Sequence, residues 1–301
     1  MSADPRTTWQ GTYPAMLTPL TEEERLDPEG AVRLARGLLS EGHKGLYLTG
    51  NTGECYAIDD SVRIELFRHM ASEIKEEATL IAHIGGVPTR RAVRMTHAAC
   101  ESGLHAVAAM TPYGGRYTDD EIVLFYRDLA AESSLPLFGY HIPSATGYSL
   151  GLDTLSQIME IPNVIGMKFT HYDCHLLERL CTAFPDKVFL MGSDQMLLQG
   201  LSAGACGGVG TTYNLLGPWV LRVCERFAND DLNGARDAQR VVNAFVQSVV
   251  PLGPKWFRAF KALAAEKYGF RPHCASPARL DESVLEKVRT ALAEAEKPTN
   301  A

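Results

Sequence analysis

The sequence has no Cys-X-X-Cys pair. Its seven cysteines, Cys55, Cys100, Cys174, Cys181, Cys206, Cys224 and Cys274, are odd in number and scattered. That argues against a disulfide framework and reads as the reduced thiols of a cytoplasmic protein. Positive charge is in deficit: 29 Lys and Arg against 36 Asp and Glu give a formal net charge of −7. An acidic surface repels nucleic acid and anionic lipid, so neither is expected as a partner. A small anionic substrate would need local groups to hold its carboxylate. Met1–Gln10 lacks the basic-then-apolar pattern of a signal peptide. Gln195–Leu221 has no charged residue, but Gly200, Gly204, Gly207, Gly208, Gly210 and Pro218 divide it. It reads as strand, turn and helix pieces rather than a membrane span. A nucleotide fingerprint is missing too. The glycines of Gly204–Gly210 precede and occupy a strand rather than the turn that opens a helix.

Apolar residues, by contrast, make up 46% of the 301 residues, enough for one large core. Eight short apolar runs suit parallel strands buried on both faces: Thr12–Thr18, Gly45–Thr49, Thr79–His83, Ala106–Met110, Leu137–Tyr140, Val164–Phe169, Val188–Met191 and Gly207–Thr211. Helical stretches separate them. Asp27-Pro28 puts a cap before a first-turn proline, Thr118 with Glu121 forms a capping box, and Gly103 marks a stop. Asp59 precedes a helical pattern over Asp60–Ala78. Strand–helix alternation repeated eight times predicts an α/β fold, a (β/α)8 TIM barrel over 1–229. An open doubly wound sheet is its structural rival. Residues 230–301 read as a C-terminal helical extension packed on the barrel, with helices at Leu232–Val250, Trp256–Tyr268 and Glu282–Glu296, making one domain overall.

Lys168 is the one lysine of nine that lies inside a strand-like run, Val164–Phe169. A lysine in a low dielectric loses its proton readily, and the neutral amine attacks a ketone to form an imine. A strand-end lysine that snorkels to water has the same pattern. Tyr140 ends the preceding run, 168 − 140 = 28 residues earlier. That is close to one βα unit of about 30 residues, so both side chains fall on consecutive strands at the carboxyl-terminal rim, where barrel sites lie. A phenol there can relay protons. The loop Gly50-Asn51-Thr52-Gly53-Glu54 follows the second strand and can form a carboxylate nest with the Thr52 hydroxyl, or simply turn the chain. Thr170, Gly192, Asp194, Gln195 and Thr211 follow later strands. They can meet substrate hydroxyls, although Asp194 could equally cap a helix. His171, Asp173, Cys174 and His175 read as a helix start rather than a metal set, so no metal and no cofactor are expected. The other histidines are expected at the surface.

Four motifs, GNTGE (Gly50–Glu54), YHIPSATG (Tyr140–Gly147), GMKFT (Gly166–Thr170) and GVGTTYN (Gly208–Asn214), together resemble the dihydrodipicolinate synthase and N-acetylneuraminate lyase family of class I pyruvate aldolases. With Leu80–Gly85 and Ala109–Pro112 the resemblance runs from about Gly11 to Phe270. It implies a barrel, a pyruvate imine on Lys168, proton shuttling by Tyr140, and carboxylate binding by Thr52 with Asn51 and Gly53. It also implies a homotetramer, a dimer of dimers. Tyr-His-Ile-Pro and Gly-Thr-Thr-Tyr-Asn look more like the N-acetylneuraminate lyase branch, in which Thr170, Gly192, Asp194 and Thr211 would meet the sugar chain. The resemblance to the synthase branch would imply an arginine where Ala145 stands, a tyrosine from a neighbouring subunit near Gly114 and a threonine at Asn51, and all three are missing here. The lyase branch has serine or threonine at Asn51, an aromatic near Gly114 and glutamate at Gln195.

The implied activity is reversible cleavage of a 2-keto acid, such as N-acetylneuraminate or a 2-keto-3-deoxy sugar acid, to pyruvate and an aldehyde. Its rivals are a keto-deoxy sugar acid dehydratase, a dihydrodipicolinate synthase-like condensing enzyme, a metal-dependent aldolase and a non-catalytic pyruvate-binding sensor.

Overall fold

A computed structural model describes residues 5–277 and 279–297. The first four residues of Met1–Gln10 and the last four of 230–301 lie outside the described residues. Eight strands carry the fold: β1 (Gly11–Pro14), β2 (Gly45–Leu48), β3 (Thr79–His83), β4 (Ala106–Met110), β5 (Leu137–His141), β6 (Val164–Phe169), β7 (Val188–Met191) and β8 (Gly207–Gly210). All pair in parallel in the order β1-β8-β7-β6-β5-β4-β3-β2. The two ends of that order meet. Lys44 N donates to Thr12 O at 3.0 Å and Met16 N to Tyr47 O at 3.0 Å, with Ala15 bridging Tyr47. The ring is therefore a (β/α)8 TIM barrel, not an open sheet.

The helices are α1 (Pro5–Trp9), α2 (Pro28–Ser40), α3 (Asp60–Glu73), α4 (Thr89–Ser102), α5 (Asp119–Glu132), α6 (Pro143–Thr146) and α7 (Leu152–Met159), then α8 (Cys174–Ala183), α9 (Leu197–Ser202), α10 (Tyr213–Ala228), α11 (Leu232–Val249), α12 (Lys255–Tyr268) and α13 (Glu282–Ala295). The start signals act as their chemistry requires. Asp27 accepts from Gly30 N, and Thr118 with Glu121 completes a reciprocal capping box. Gly103 ends α4 in the left-handed region at φ 72°. Two expectations fail locally. The helix from Asp60 stops at Glu73, five residues short of Ala78, and Asp59 makes no side-chain cap bond. The chain has to turn there to enter β3 at Thr79.

Side chains alternate across each strand, producing two cores. Inward residues, among them Tyr13, Tyr47, Ile81, Ala108, Phe138, Tyr140, Leu190 and Val209, fill the barrel. Outward ones, such as Leu46, Leu80, Val107, Met167 and Phe169, pack under the helices. Trp9 joins the inner set, its indole 5.2 Å from the Phe138 ring, and its carbonyl accepts from the Tyr13 hydroxyl at 3.0 Å. The C-terminal helices reach the carboxyl-terminal rim. Gln239 of α11 donates to Asp194 O at 3.0 Å, and Lys261 of α12 bonds Glu54 in the loop after β2.

Candidate active site

Strand register sets the centre of the site. Tyr140 and Lys168 are direct partners across β5 and β6. Both point into the barrel, 2% and 5% exposed. The Lys168 amine lies 4.2 Å from the centre of the Tyr140 ring and 4.4 Å from that of Tyr47. Such ring faces favour an ammonium. Burial opposes them and prevails, pushing the amine down to about 7, with the charge of Asp194 acting in the opposite sense. Burial also raises the Tyr140 phenol well above its ordinary range. The Thr170 hydroxyl beside it opposes that shift, yet this hydroxyl is buried and completes no hydrogen bond of acceptable geometry.

Gly192 opens the space in front of the amine. A Cβ there would sit 1.9 Å from Thr170 Oγ1 and 3.1 Å from Lys168 Cε. The next residues form a 3₁₀ turn, Asp194–Met196. Asp194 does not cap it. Its carboxylate is buried and accepts from Thr212 N at 2.7 Å, so burial raises its pKa while that bond and Lys168 hold it down. Gln195 donates to the Tyr172 hydroxyl at 2.7 Å.

Across the mouth, the Thr52 and Thr211 hydroxyls meet at 2.6 Å, joining the loops after β2 and β8. Asn51 lies beside them and its amide oxygen faces the Cys55 thiol at 3.7 Å. The glycines of this loop serve differently from the expected tight-turn role. Its left-handed residues are Thr49 at φ 50° and Glu54 at φ 61°. Gly53 is needed for close approach, since a Cβ would fall 2.7 Å from Thr49 Cα.

Two cavities open here. One, about 410 Å³, is lined by Thr170, Gly192, Asp194, Gln195 and Thr211 together with Trp256. The other, about 330 Å³, is lined by Asn51, Thr52, Thr211 and Trp256. Thr211 and Trp256 belong to both. A separate recess of about 500 Å³ around Arg258, Arg271 and His273 shares no lining residue with either. Asn51, Thr52, Thr170, Gly192, Asp194, Gln195 and Thr211 line these two cavities; Lys168, Tyr140 and Gly53 line neither, Lys168 standing behind Gly192 in register with Tyr140 and Gly53 packing on Thr49. Asp173 caps α8 by accepting from Leu176 N, as a helix start requires.

The expectation of surface histidines is wrong for three of them. His43, His83 and His141 are buried. His83 faces Tyr140 ring to ring at 5.9 Å, accepts from Met110 N at 3.4 Å, and lies 3.1 Å from Thr49 O. Those partners fix a neutral ring carrying its proton on Nδ1, and burial depresses its pKa well below normal. Tyr47, which packs in the barrel interior, was also missed, since all four residues of its strand are buried and the run alone does not mark which face is inward. So was Lys261, fully buried on α12, which donates to Glu54 Oε1 and to His273 O. Its signal was weak, because a helical lysine is ordinarily a solvated one.

Comparison with known proteins agrees with this geometry. Residues 8–294 match the model of the dihydrodipicolinate synthetase family. The chain is 34% identical to the N-acetylneuraminate lyase of Rhizobium meliloti, over 81% of each chain. It is 33% identical to that of Citrobacter koseri, over 84% of this chain and 85% of the relative. Among solved structures, the N-acetylneuraminate lyase of Fusobacterium nucleatum superposes with a TM-score of 0.88 at 27% identity, covering 96% of this chain and all of that one. CdNal of Clostridium difficile, solved with mannosamine, gives 0.89 at 27% identity, covering 95% and 99%. A match of this length, carried by an eight-stranded barrel with a buried lysine on β6, settles the kinship: the chain belongs to the dihydrodipicolinate synthetase family.

Proposed function

We propose that the chain is a class I aldolase that reversibly cleaves a 2-keto acid, N-acetylneuraminate or a related 2-keto-3-deoxy sugar acid, to pyruvate and an aldehyde. Membership of the family and identity of 33–34% to N-acetylneuraminate lyases make it a carbon–carbon lyase of the pyruvate-dependent kind. One observation carries the mechanism: a buried amine with its pKa pushed down to about 7 stands in register with a buried phenol.

Neutral Lys168 attacks the ketone carbon. Tyr140, kept protonated by burial, gives its proton to the departing oxygen, and water leaves an iminium beside a phenolate. The phenolate then takes the proton of the hydroxyl on the fourth carbon as the bond between the third and fourth carbons breaks, releasing the aldehyde. The remaining enamine takes that proton back at its third carbon, and water hydrolyses the imine to pyruvate and free amine. Thr52, with Asn51 and Gly53, holds the carboxylate. Thr170, Gly192, Asp194, Gln195 and Thr211 line the way for the aldehyde half. No step uses a metal or an organic cofactor.

Borohydride reduction with pyruvate tests this: the mass increase should fall on the peptide containing Lys168, and labelling of any other lysine refutes the mechanism. The same reading makes the chain a cytoplasmic homotetramer, a dimer of dimers, folded as one domain with residues 230–301 as the barrel's extension. The seven free cysteines support the reducing compartment. Sedimentation velocity should give a species of four chains.

A further inference from the structure

The recess of about 500 Å³ that lies apart from the two cavities has three walls. The loop after β1 gives Glu22 and Glu23, α12 gives Arg258, and the segment after α12 gives Arg271, His273 and Arg279. No ion pair among the described residues uses any of these three guanidinium groups. Arg258 is the least accessible of them, at 9% exposed. Its Nη2 donates to Ser276 O and to Ser276 Oγ at 2.7 Å, which leaves Nε and Nη1 without an acceptor among the described residues. A cation withdrawn from water with donors unfilled is costly unless an anion answers it. The glutamates do not do so. Glu23 faces Arg25 at 3.8 Å, and Glu22 and Glu23 are both exposed. Three arginines against two glutamates leave the lining with an excess of one positive charge.

Each wall is also tied to the loop that carries Thr52. In the first, Leu20 N donates to Arg271 O at 3.3 Å, and the Thr18 hydroxyl donates to Gly53 O at 2.8 Å. In the second, Lys261, one turn beyond Arg258 on α12, donates to Glu54 Oε1 and to His273 O. In the third, Ala275 N donates to Glu54 Oε2 at 2.9 Å.

We propose that this recess is an effector site for a small phosphate monoester bearing hydroxyl groups, a sugar phosphate by chemical class. The phosphoryl oxygens accept from Arg258, Arg271 and Arg279, since a tetrahedral dianion supplies enough acceptors for separate guanidinium groups and a single carboxylate does not. The hydroxyls of the ligand donate to Glu22 and Glu23, which would only repel a bare inorganic anion. A ligand that joins α12 to the segment after it steadies Glu54, and with it Thr52, so pyruvate binds more tightly when the recess is filled, and the ester more tightly when pyruvate is bound. The coupling rests on the pyruvate aldolase reading; the binding does not.

Calorimetric titration of the full chain at low ionic strength tests the binding, with glucose 6-phosphate, inorganic phosphate and glucose as probes. Glucose 6-phosphate should bind with a Kd of roughly 0.1–1 mM, inorganic phosphate about tenfold more weakly, and glucose without measurable heat, the scale of one or two charge-assisted hydrogen bonds. Arg271 and Arg279 are exposed, so Arg271→Gln and Arg279→Gln should leave thermal unfolding and basal kcat unchanged while each weakens glucose 6-phosphate about tenfold. No heat with the ester, equal affinity for ester and inorganic phosphate, or full affinity in both variants overturns the site. So does a change of oligomer size in either variant, which would make the recess a subunit contact. Saturating glucose 6-phosphate should lower KM for pyruvate capture about fivefold in the unaltered enzyme, and neither variant should respond at that concentration. An unchanged or higher KM overturns the coupling. Borohydride trapping separates the two levels: label on a lysine other than Lys168 removes the aldolase reading and the coupling with it, whereas the site is decided by calorimetry, which needs no turnover.

Discussion

At the scale of residues, Lys168 is governed by two opposed influences, and each can be removed. Burial lowers its pKa to about 7, and the Asp194 charge raises it. The amine is competent only when neutral. Below pH 7, kcat/KM for pyruvate capture should therefore fall about tenfold per pH unit, and above pH 7 it should level off. Asp194→Asn deletes the charge that favours the ammonium, so the midpoint of that acid limb should move to lower pH. A pH–rate profile decides it, and a midpoint that stays or rises contradicts the electrostatic account. Gly192 is a purely steric case. An added methyl meets Thr170 Oγ1 at 1.9 Å and Lys168 Cε at 3.1 Å, and Lys168 has to shift. Gly192→Ala should lower kcat about a hundredfold, the usual result of misplacing a reacting atom by roughly 1 Å, with the far-ultraviolet spectrum unchanged. Lys168, Tyr140 and the hydroxyl residues were legible in the sequence because polar groups ending apolar runs are conspicuous. His83 and Tyr47 were not, because their burial comes from neighbouring strands rather than from their own segments.

At the scale of elements, the loop after β2 is fixed from far along the chain. Glu54 accepts from Lys261 of α12 and from Ala275 N, and Lys261 also donates to His273 O. Both charges are almost wholly buried. Removing one partner leaves the other charge unpaired in a low dielectric, so Lys261→Met should cost about 3–5 kcal/mol in urea unfolding. Glu54→Gln combined with Lys261→Met should recover at least half of that loss, since no bare charge remains. A double variant no more stable than the single one would show that packing, not charge, is what Lys261 supplies. Because Thr52 is two residues from Glu54, Lys261→Met should also raise KM for pyruvate, read in the same trapping assay. Seven strands were legible to within a residue, as buried parallel strands are short apolar runs, whereas β1 ends at Pro14, four residues before the expected Thr18. The end of α3 at Glu73 was not: amphipathic spacing continues past it, and the need to reach β3 in register stops the helix.

At the scale of the whole molecule, the net charge of −7 repels an anionic substrate that the site must nevertheless hold. In the proposed mechanism local backbone and hydroxyl groups hold it, so long-range attraction should contribute nothing. Raising ionic strength from about 0.05 to 0.5 M screens the repulsion. It should leave kcat/KM for pyruvate capture unchanged or slightly higher, and a steep fall would reveal a cationic steering field absent from the two cavities. The extension is part of the same machine. Gln239 holds the carbonyl of Asp194, Lys261 holds Glu54, and Trp256 closes both cavities.

The sequence by itself determined the eight strand–helix repeats and the placing of Lys168 and Tyr140 on consecutive apolar runs, because each follows from periodicity and spacing along one stretch of chain; the meeting of β1 with β2 decided for a barrel over an open sheet. Only the tertiary structure decided the state of that lysine, the burial of three histidines, the Lys261–Glu54 tie and the arrival of Trp256 from the extension at both cavities. Those depend on which distant segments meet, and burial, which sets the energy of every charged or polar group, is a property of the closed barrel and its extension rather than of any local run of residues.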